Sequence, residues 1–213
     1  MARIGIYGSS FDPVTNVHLW TASTVASRMD LDKVMFIPCS SRRRPDDKKM
    51  KTEDIHRIKM IEMAIADNDK FELDLFEANM DHGVGTTFNT MKHFEEIYPD
   101  DELFFIMGAD LLKDLPTWRQ GAELVNEFQF IVMARDGYDM LKMVATNPLL
   151  RNHQRHFHLM DKGLAMEISS TYIRDEFALG GDPRYLLPEV CYNYIKERKL
   201  YTNPITNRIG AVR

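Results

Sequence analysis

Short, unbroken apolar runs recur along this 213-residue chain, and between them apolar residues return at helical spacing. The runs are Ile4-Gly5-Ile6-Tyr7, Val34-Met35-Phe36-Ile37-Pro38, Leu103-Phe104-Phe105-Ile106-Met107 and Phe128-Gln129-Phe130-Ile131-Val132-Met133. A strand without polar alternation needs apolar cover on both faces. The pattern therefore predicts an α/β fold: a Rossmann-like, mostly parallel sheet with helices on both faces. Helices are expected over 52–66, 86–98, 111–115 and 121–125, and a half-buried strand over 71–76. A small helical C-terminal part is expected over about 168–201, split by Gly180-Gly181-Asp182-Pro183. Residues 1–201 are expected to form one domain, with 202–213 as a tail.

In such a sheet ligands bind beyond the carboxyl ends of the strands. Gly8, Pro38, Gly108 and Arg135 all follow apolar runs, so they are expected to converge on one crevice. The first of these exits is the most informative. Gly8-Ser9-Ser10-Phe11-Asp12-Pro13-Val14-Thr15-Asn16-Val17-His18 joins a strand to a helix through small residues. Such a turn aims backbone N–H groups and a helix N-terminus at one point, which suits a phosphate. His18 adds a side-chain donor in the first helical turn. The turn lacks the spaced glycines of a dinucleotide fingerprint, since Ser9-Ser10-Phe11 interrupts them.

Composition narrows the class. A net charge of −5 argues against a general nucleic-acid binder, and no apolar run approaches the ~18 residues of a membrane span. No charged-then-apolar leader opens the chain, and two cysteines outside any C-x-x-C imply neither a disulfide framework nor a zinc site. A cytoplasmic protein is expected. His153, His156 and His158 form an H-x-x-H-x-H spacing, read here as a surface loop rather than a metal site; no protein-bound metal centre is expected.

The phosphate turn resembles the nucleotidyltransferase superfamily marked by G-x-F-D-P-x-H-x-G-H. The likeness is strongest to the nicotinate and nicotinamide mononucleotide adenylyltransferases. Gly108-Ala109-Asp110 with Leu115-Pro116-Thr117-Trp118 resembles their G-x-D…W stretch, and Ala134-Arg135-Asp136-Gly137-Tyr138 their A-R-x-G-Y. Ile168-Ser169-Ser170-Thr171-Tyr172-Ile173-Arg174 is similar to their I-S-S-T-x-I-R. These motifs run in family order. Thr15-Asn16-Val17-His18 departs from the usual bacterial H-x-G-H and resembles the T-N-x-H of eukaryotic-type nicotinamide mononucleotide enzymes. Thr15 can donate a hydrogen bond but cannot carry charge as an imidazolium can.

The resemblance implies transfer of the adenylyl group of ATP to nicotinate mononucleotide, or also to the nicotinamide form, with release of pyrophosphate. Mg²⁺ is the expected cofactor, and ATP and a pyridine mononucleotide are the expected partners; a homo-oligomer is left open. His18 and Arg174 are the catalytic candidates. ATP binding is expected to involve Gly8, Ser9, Phe11, Thr15, His18, Gly108, Asp110, Ser169, Ser170, Thr171 and Arg174. Thr86, Thr87, Trp118 and Arg135 are expected to bind the mononucleotide, with Trp118 against the ring. Asp12 fits either loop orientation or capping, and Phe11 also fits loop packing. The basic segment with Arg42-Arg43-Arg44 and Lys48-Lys49 fits either a solvated loop or a flap over the triphosphate. The alternatives are a sister nucleotidyltransferase acting on phosphopantetheine or glycerol phosphate, and a non-catalytic nucleotide sensor.

Overall fold

The computed structural model describes residues 1–40, 50–80, 85–161 and 168–202. Six strands form one sheet: β1 (Arg3–Ser9), β2 (Lys33–Pro38), β3 (Phe71–Leu73), β4 (Glu102–Gly108), β5 (Gln129–Met133) and β6 (Phe157–Met160). Their order is β3-β2-β1-β4-β5-β6, and every neighbouring pair is parallel. The chain runs outward from β1 through β2 to β3, then returns to start the other half at β4. The order therefore reverses between β1 and β4, and a crevice opens past their carboxyl ends.

Nine α-helices cover the sheet among the described residues: α1 (Asn16–Arg28), α2 (Asp54–Ile65), α3 (Thr87–Ile97), α4 (Ala109–Leu112), α5 (Gly121–Glu127), α6 (Met140–Thr146), α7 (Pro148–Asn152), α8 (Ser170–Leu179) and α9 (Glu189–Arg198). The two-residue strand period sends successive side chains to opposite cores. Ile4, Ile6, Met35, Ile37, Phe105, Met107, Phe130 and Val132 meet Met91, Phe94, Leu124, Val125, Val144 and Leu150 on one face. Val34, Phe36, Phe104, Ile106 and Ile131 meet Val25, Met60, Ile61, Ile173, Phe177 and Ile195 on the other. The unbroken apolar runs thus follow from burial on both sides.

Several elements differ from expectation, each for a local reason. The strand expected over 71–76 stops at Leu73, because the Asp74 side chain accepts from the Phe76 N–H at 2.7 Å and turns the chain out of the ladder. Pro116 follows the short α4, and a 3₁₀ turn, Leu115–Thr117, replaces the end of the helix expected over 111–115. The stretch 153–158, expected as surface loop, runs into the edge strand β6, whose Phe157 is buried and stacks on Phe130 at 5.0 Å. That strand is short and carries His158 among its four residues, so its periodicity is weak. Helices α6 and α7 were not anticipated; Asp139 and Asn147 cap them. The expected tail lies outside the described residues from position 203 onward, as does the basic segment 41–49.

Candidate active site

Four exits from the sheet build the crevice: the turn after β1, the ends of β4 and β5, and the N-terminus of α8. The turn after β1 passes through Phe11, whose φ of 44° is in the left-handed region, and then Pro13, whose bond to Asp12 is cis. Phe11 is fully buried, with its ring 5.0 Å from His18 and 5.5 Å from both Tyr7 and Phe36. The side chain therefore packs behind the turn and presents backbone, not its ring, to the crevice. Gly8 and Ser9 are part-exposed at the end of β1.

Thr15 caps α1, and His18 at the third helical position closes a capping box with it. The Thr15 backbone N–H donates to His18 Nδ1 at 3.0 Å, and the Thr15 hydroxyl lies 2.9 Å from the same nitrogen. Because the backbone group can only donate, Nδ1 must accept. The neutral ring then carries its proton on Nε2. Although part of His18 reaches the surface, its ring is packed against Tyr7 and Phe11. That burial, aided by the Arg135 charge, lowers its pKa to about 4. His18 is accordingly a neutral Nε2–H donor at physiological pH. Thr15 has no exposed surface, so its influence on a phosphate runs through the ring it holds.

The motif at 169–174 joins this turn directly. Ser169 caps α8 by accepting from the Tyr172 N–H at 3.1 Å. Ser170 donates to the Pro13 carbonyl at 2.9 Å, and Arg174 Nη1 donates to the Asp12 carbonyl at 2.7 Å. Arg174 Nη2 also donates to the Thr171 hydroxyl at 3.0 Å. Two motifs separated by about 160 residues thus form one clamp, with Ser169 and Thr171 exposed at its α8 side.

Asp110, in α4 just past β4, and Arg135, just past β5, lie at the same ends of the strands, and the Arg135 charge reaches His18. Arg135 Nε lies 2.9 Å from Asp110 Oδ1, an oxygen that is itself buried. Gly108 leaves room for this pair, since a Cβ there would lie 2.7 Å from Arg135 Nε and overlap Asp110 Oδ1. Farther along, Thr86 caps α3 and donates to Gln120 Oε1 at 3.0 Å, tying α3 to the turn that carries Trp118. Thr87 begins α3, and Trp118 is part-buried edge-to-face on Phe105 at 6.3 Å.

The three histidines at 153–158 do not converge. His153 bonds the Leu149 carbonyl, His156 the Val125 carbonyl at 2.8 Å, and His158 the Gln129 side chain at 2.9 Å. Among the described residues no group of three His, Cys, Asp or Glu side chains could hold a metal ion.

Two supporting residues escaped sequence reasoning. Arg57 is fully buried, yet its guanidinium donates to Ser10 O, to Cys39 O at 2.6 Å and to Asp54 Oδ1 at 2.5 Å. It ties the phosphate turn to the exit of β2. The available signal was its place on the apolar face of α2, with Met60, Ile61 and Ala64 three, four and seven residues on. Gln120 is the second. Its φ of 60° and the following Gly121, where a Cβ would overlap the Leu115 carbonyl, mark a tight turn.

Two helix N-termini, a histidine donor and two arginines thus gather near the switch point of a parallel sheet, an arrangement that suits a polyphosphate. The sequence profile of the cytidylyltransferase-like family matches residues 6–176. The chain is 36% identical to nicotinate-nucleotide adenylyltransferase of Bacillus subtilis, over 94% of this chain and 99% of that one. A probable nicotinate-nucleotide adenylyltransferase of Geotalea uraniireducens is 34% identical with the same coverage. The fold matches the Plasmodium falciparum nicotinic acid mononucleotide adenylyltransferase complexed with NaAD, with a TM-score of 0.77 and 24% identity over 94% of this chain and 98% of that one. The chain belongs to the nicotinate-nucleotide adenylyltransferases of the cytidylyltransferase-like family.

Proposed function

We propose that this protein transfers the adenylyl group of ATP to the 5′-phosphate of nicotinate mononucleotide, as a step of NAD biosynthesis. The observation that carries the reading is the joined clamp, in which Ser170 and Arg174 of one motif bond the Pro13 and Asp12 carbonyls of the other. A phosphate oxygen of the mononucleotide attacks the α-phosphorus of ATP. A new P–O bond forms, the α–β bridging bond breaks, and the electron pair leaves with pyrophosphate. The nucleophile is already ionised, so the protein's task is positioning and neutralisation of developing charge. His18 Nε2–H donates to the triphosphate without a change of protonation. Arg174 supplies a fixed charge at the joint, and the N-termini of α1 and α8 supply aligned dipoles.

Mg²⁺ would enter this site as part of the ATP complex. Asp110 is the carboxylate that would hold the ion, directly or through water, with Arg135 fixing its orientation. When bound, the ion neutralises charge on the triphosphate. The ring side fits a carboxylate better than an amide, because the positive end of α3 opens beside Thr86 and Thr87, with Trp118 as the ring's apolar wall. The names of the bacterial relatives support the same substrate. We place the reaction in the cytoplasm; the buried thiols of Cys39 and Cys191 suit a reducing compartment. Among the described residues no helix is long and apolar enough to cross a membrane. Both halves of the clamp lie on one chain, so the chemistry requires no second copy, and light scattering distinguishes a monomer from a homo-oligomer.

The deciding experiment incubates the protein with ATP, Mg²⁺ and either mononucleotide, and measures pyrophosphate and dinucleotide. Product with nicotinate mononucleotide at a kcat/KM at least tenfold above the nicotinamide form is expected. Equal or reversed preference overturns the substrate, and no product from either overturns the activity.

A further inference from the structure

Asp12 is an unusual centre for a phosphate turn. Its carboxylate is only 2% exposed, and both oxygens are engaged across long stretches of chain. Oδ2 accepts from the Lys51 backbone N–H at 2.7 Å, and Oδ1 accepts from the Tyr201 hydroxyl at 2.7 Å. Its backbone carbonyl is the one that Arg174 holds. A buried carboxylate with fully directed partners fixes its segment in one posture, and removing a partner leaves a costly unpaired charge.

The C-terminal chain reaches this carboxylate through a left-handed turn. Lys199 and Tyr201 have φ values of 53° and 61°, in the left-handed region that side-chain-bearing residues avoid. The Leu200 N–H bonds back to Ile195 O at 3.0 Å, and the Thr202 hydroxyl donates to Lys199 O at 2.8 Å. This turn carries the Tyr201 ring onto Phe177 of α8, 6.3 Å between centroids, and its hydroxyl onto Asp12. Lys199 is the left-handed C-cap that ends α9 in the usual way, and the turn it makes brings Tyr201 round to Asp12. Burial and the Asp12 charge both raise the Tyr201 pKa, so the hydroxyl remains a donor throughout the working pH range.

We propose that Tyr201 is a positioning residue for nucleotidyl transfer. Acting through Asp12, it holds the turn after β1 in register with the N-terminus of α8, so that the C-terminal turn sets the spacing of the triphosphate clamp. This rests on the reading of the clamp as the ATP site.

Tyr201→Phe keeps the ring on Phe177 and removes only the hydroxyl. Its KM for ATP is expected to rise about tenfold or more, the scale of one lost bond to a charged group, with the mononucleotide KM within twofold. Loss of stability alone lowers the active fraction and leaves both KM values in place. Asp12→Ala, which removes both acceptor oxygens, is the second arm: if Tyr201 acts through Asp12, adding Tyr201→Phe to it changes the ATP KM by less than twofold. The proposal is overturned if Tyr201→Phe leaves the ATP KM unchanged, if it shifts both KM values equally, or if the two substitutions multiply. A parent protein inactive with both mononucleotides overturns the proposed activity separately, and calorimetric titration with ATP then still decides the role of Tyr201.

Discussion

The two ends of the crevice are built differently. The phosphate end is a web of long-range bonds: Ser170 to Pro13, Arg174 to Asp12, Tyr201 to Asp12, and buried Arg57 to Ser10 and Cys39. The ring end rests on the bond from Thr86 to Gln120 and on the packing of Trp118 against Phe105. On the proposed function, the phosphate end would serve the step that every nucleotidyl transfer shares, where small displacements of charge are costly. On the same proposal, the ring end would read what varies between substrates, and a packed aromatic wall with a few donors suffices for that.

His18→Ala should show the largest contrast, lowering kcat by about 10²–10³ with little change in either KM, the scale set by loss of one preorganised donor. Steady-state kinetics within twofold of the parent would break the assignment. Arg57→Met should lower unfolding free energy by about 3 kcal/mol in urea, because Asp54 and two carbonyls lose a buried partner. At the ring end, Thr86→Ala should cost only about 1 kcal/mol, the usual value of a helix cap. If the two costs are equal, the phosphate end is no better fastened than the ring end. Trp118→Ala should raise the mononucleotide KM roughly tenfold while leaving that of ATP within about twofold, as loss of one aromatic wall implies. Equal shifts would mean that Trp118 serves both substrates.

The smallest expected effect is a pH signature. The pKa of His18 falls from an ordinary 6.5 to about 4 on folding, so the unfolded chain binds more protons between those values. Its contribution to stability is complete above pH 6.5 and is lost as pH falls toward 4. NMR titration of the free protein should show a neutral, Nε2-protonated His18 down to about pH 5, given that lowered pKa. A midpoint near 6.5 would remove the neutral-donor role.

Much of the sheet was legible because β1, β2, β4 and β5 are buried on both faces and so carry unbroken apolar runs. The edge strands were harder: β3 is cut short by an aspartate turn, and β6 carries the polarity of an edge. The contiguous motifs were readable as local structure, since Gly8 through His18 and Ser169 through Arg174 each occupy one turn and one helix start. The crossing bonds were not. Arg57, Gln120 and Tyr201 act through partners 18 to 189 positions away, and that pairing exists only once the sheet has folded. Thr15 shows the intermediate case: its position in the motif was plain, but its enclosure behind His18 depends on packing.

His18 does two jobs with one ring, closing the cap of α1 and presenting Nε2 to the crevice. The ring cannot swing away without leaving the Thr15 backbone N–H of the capping box without its partner. Its rotamer freedom is therefore surrendered during folding, before any nucleotide arrives, and the entropy of ordering that donor is absent from the binding step. Affinity for ATP at this end should depend little on induced ordering, and much on the fraction of chains that have completed the first turn of α1.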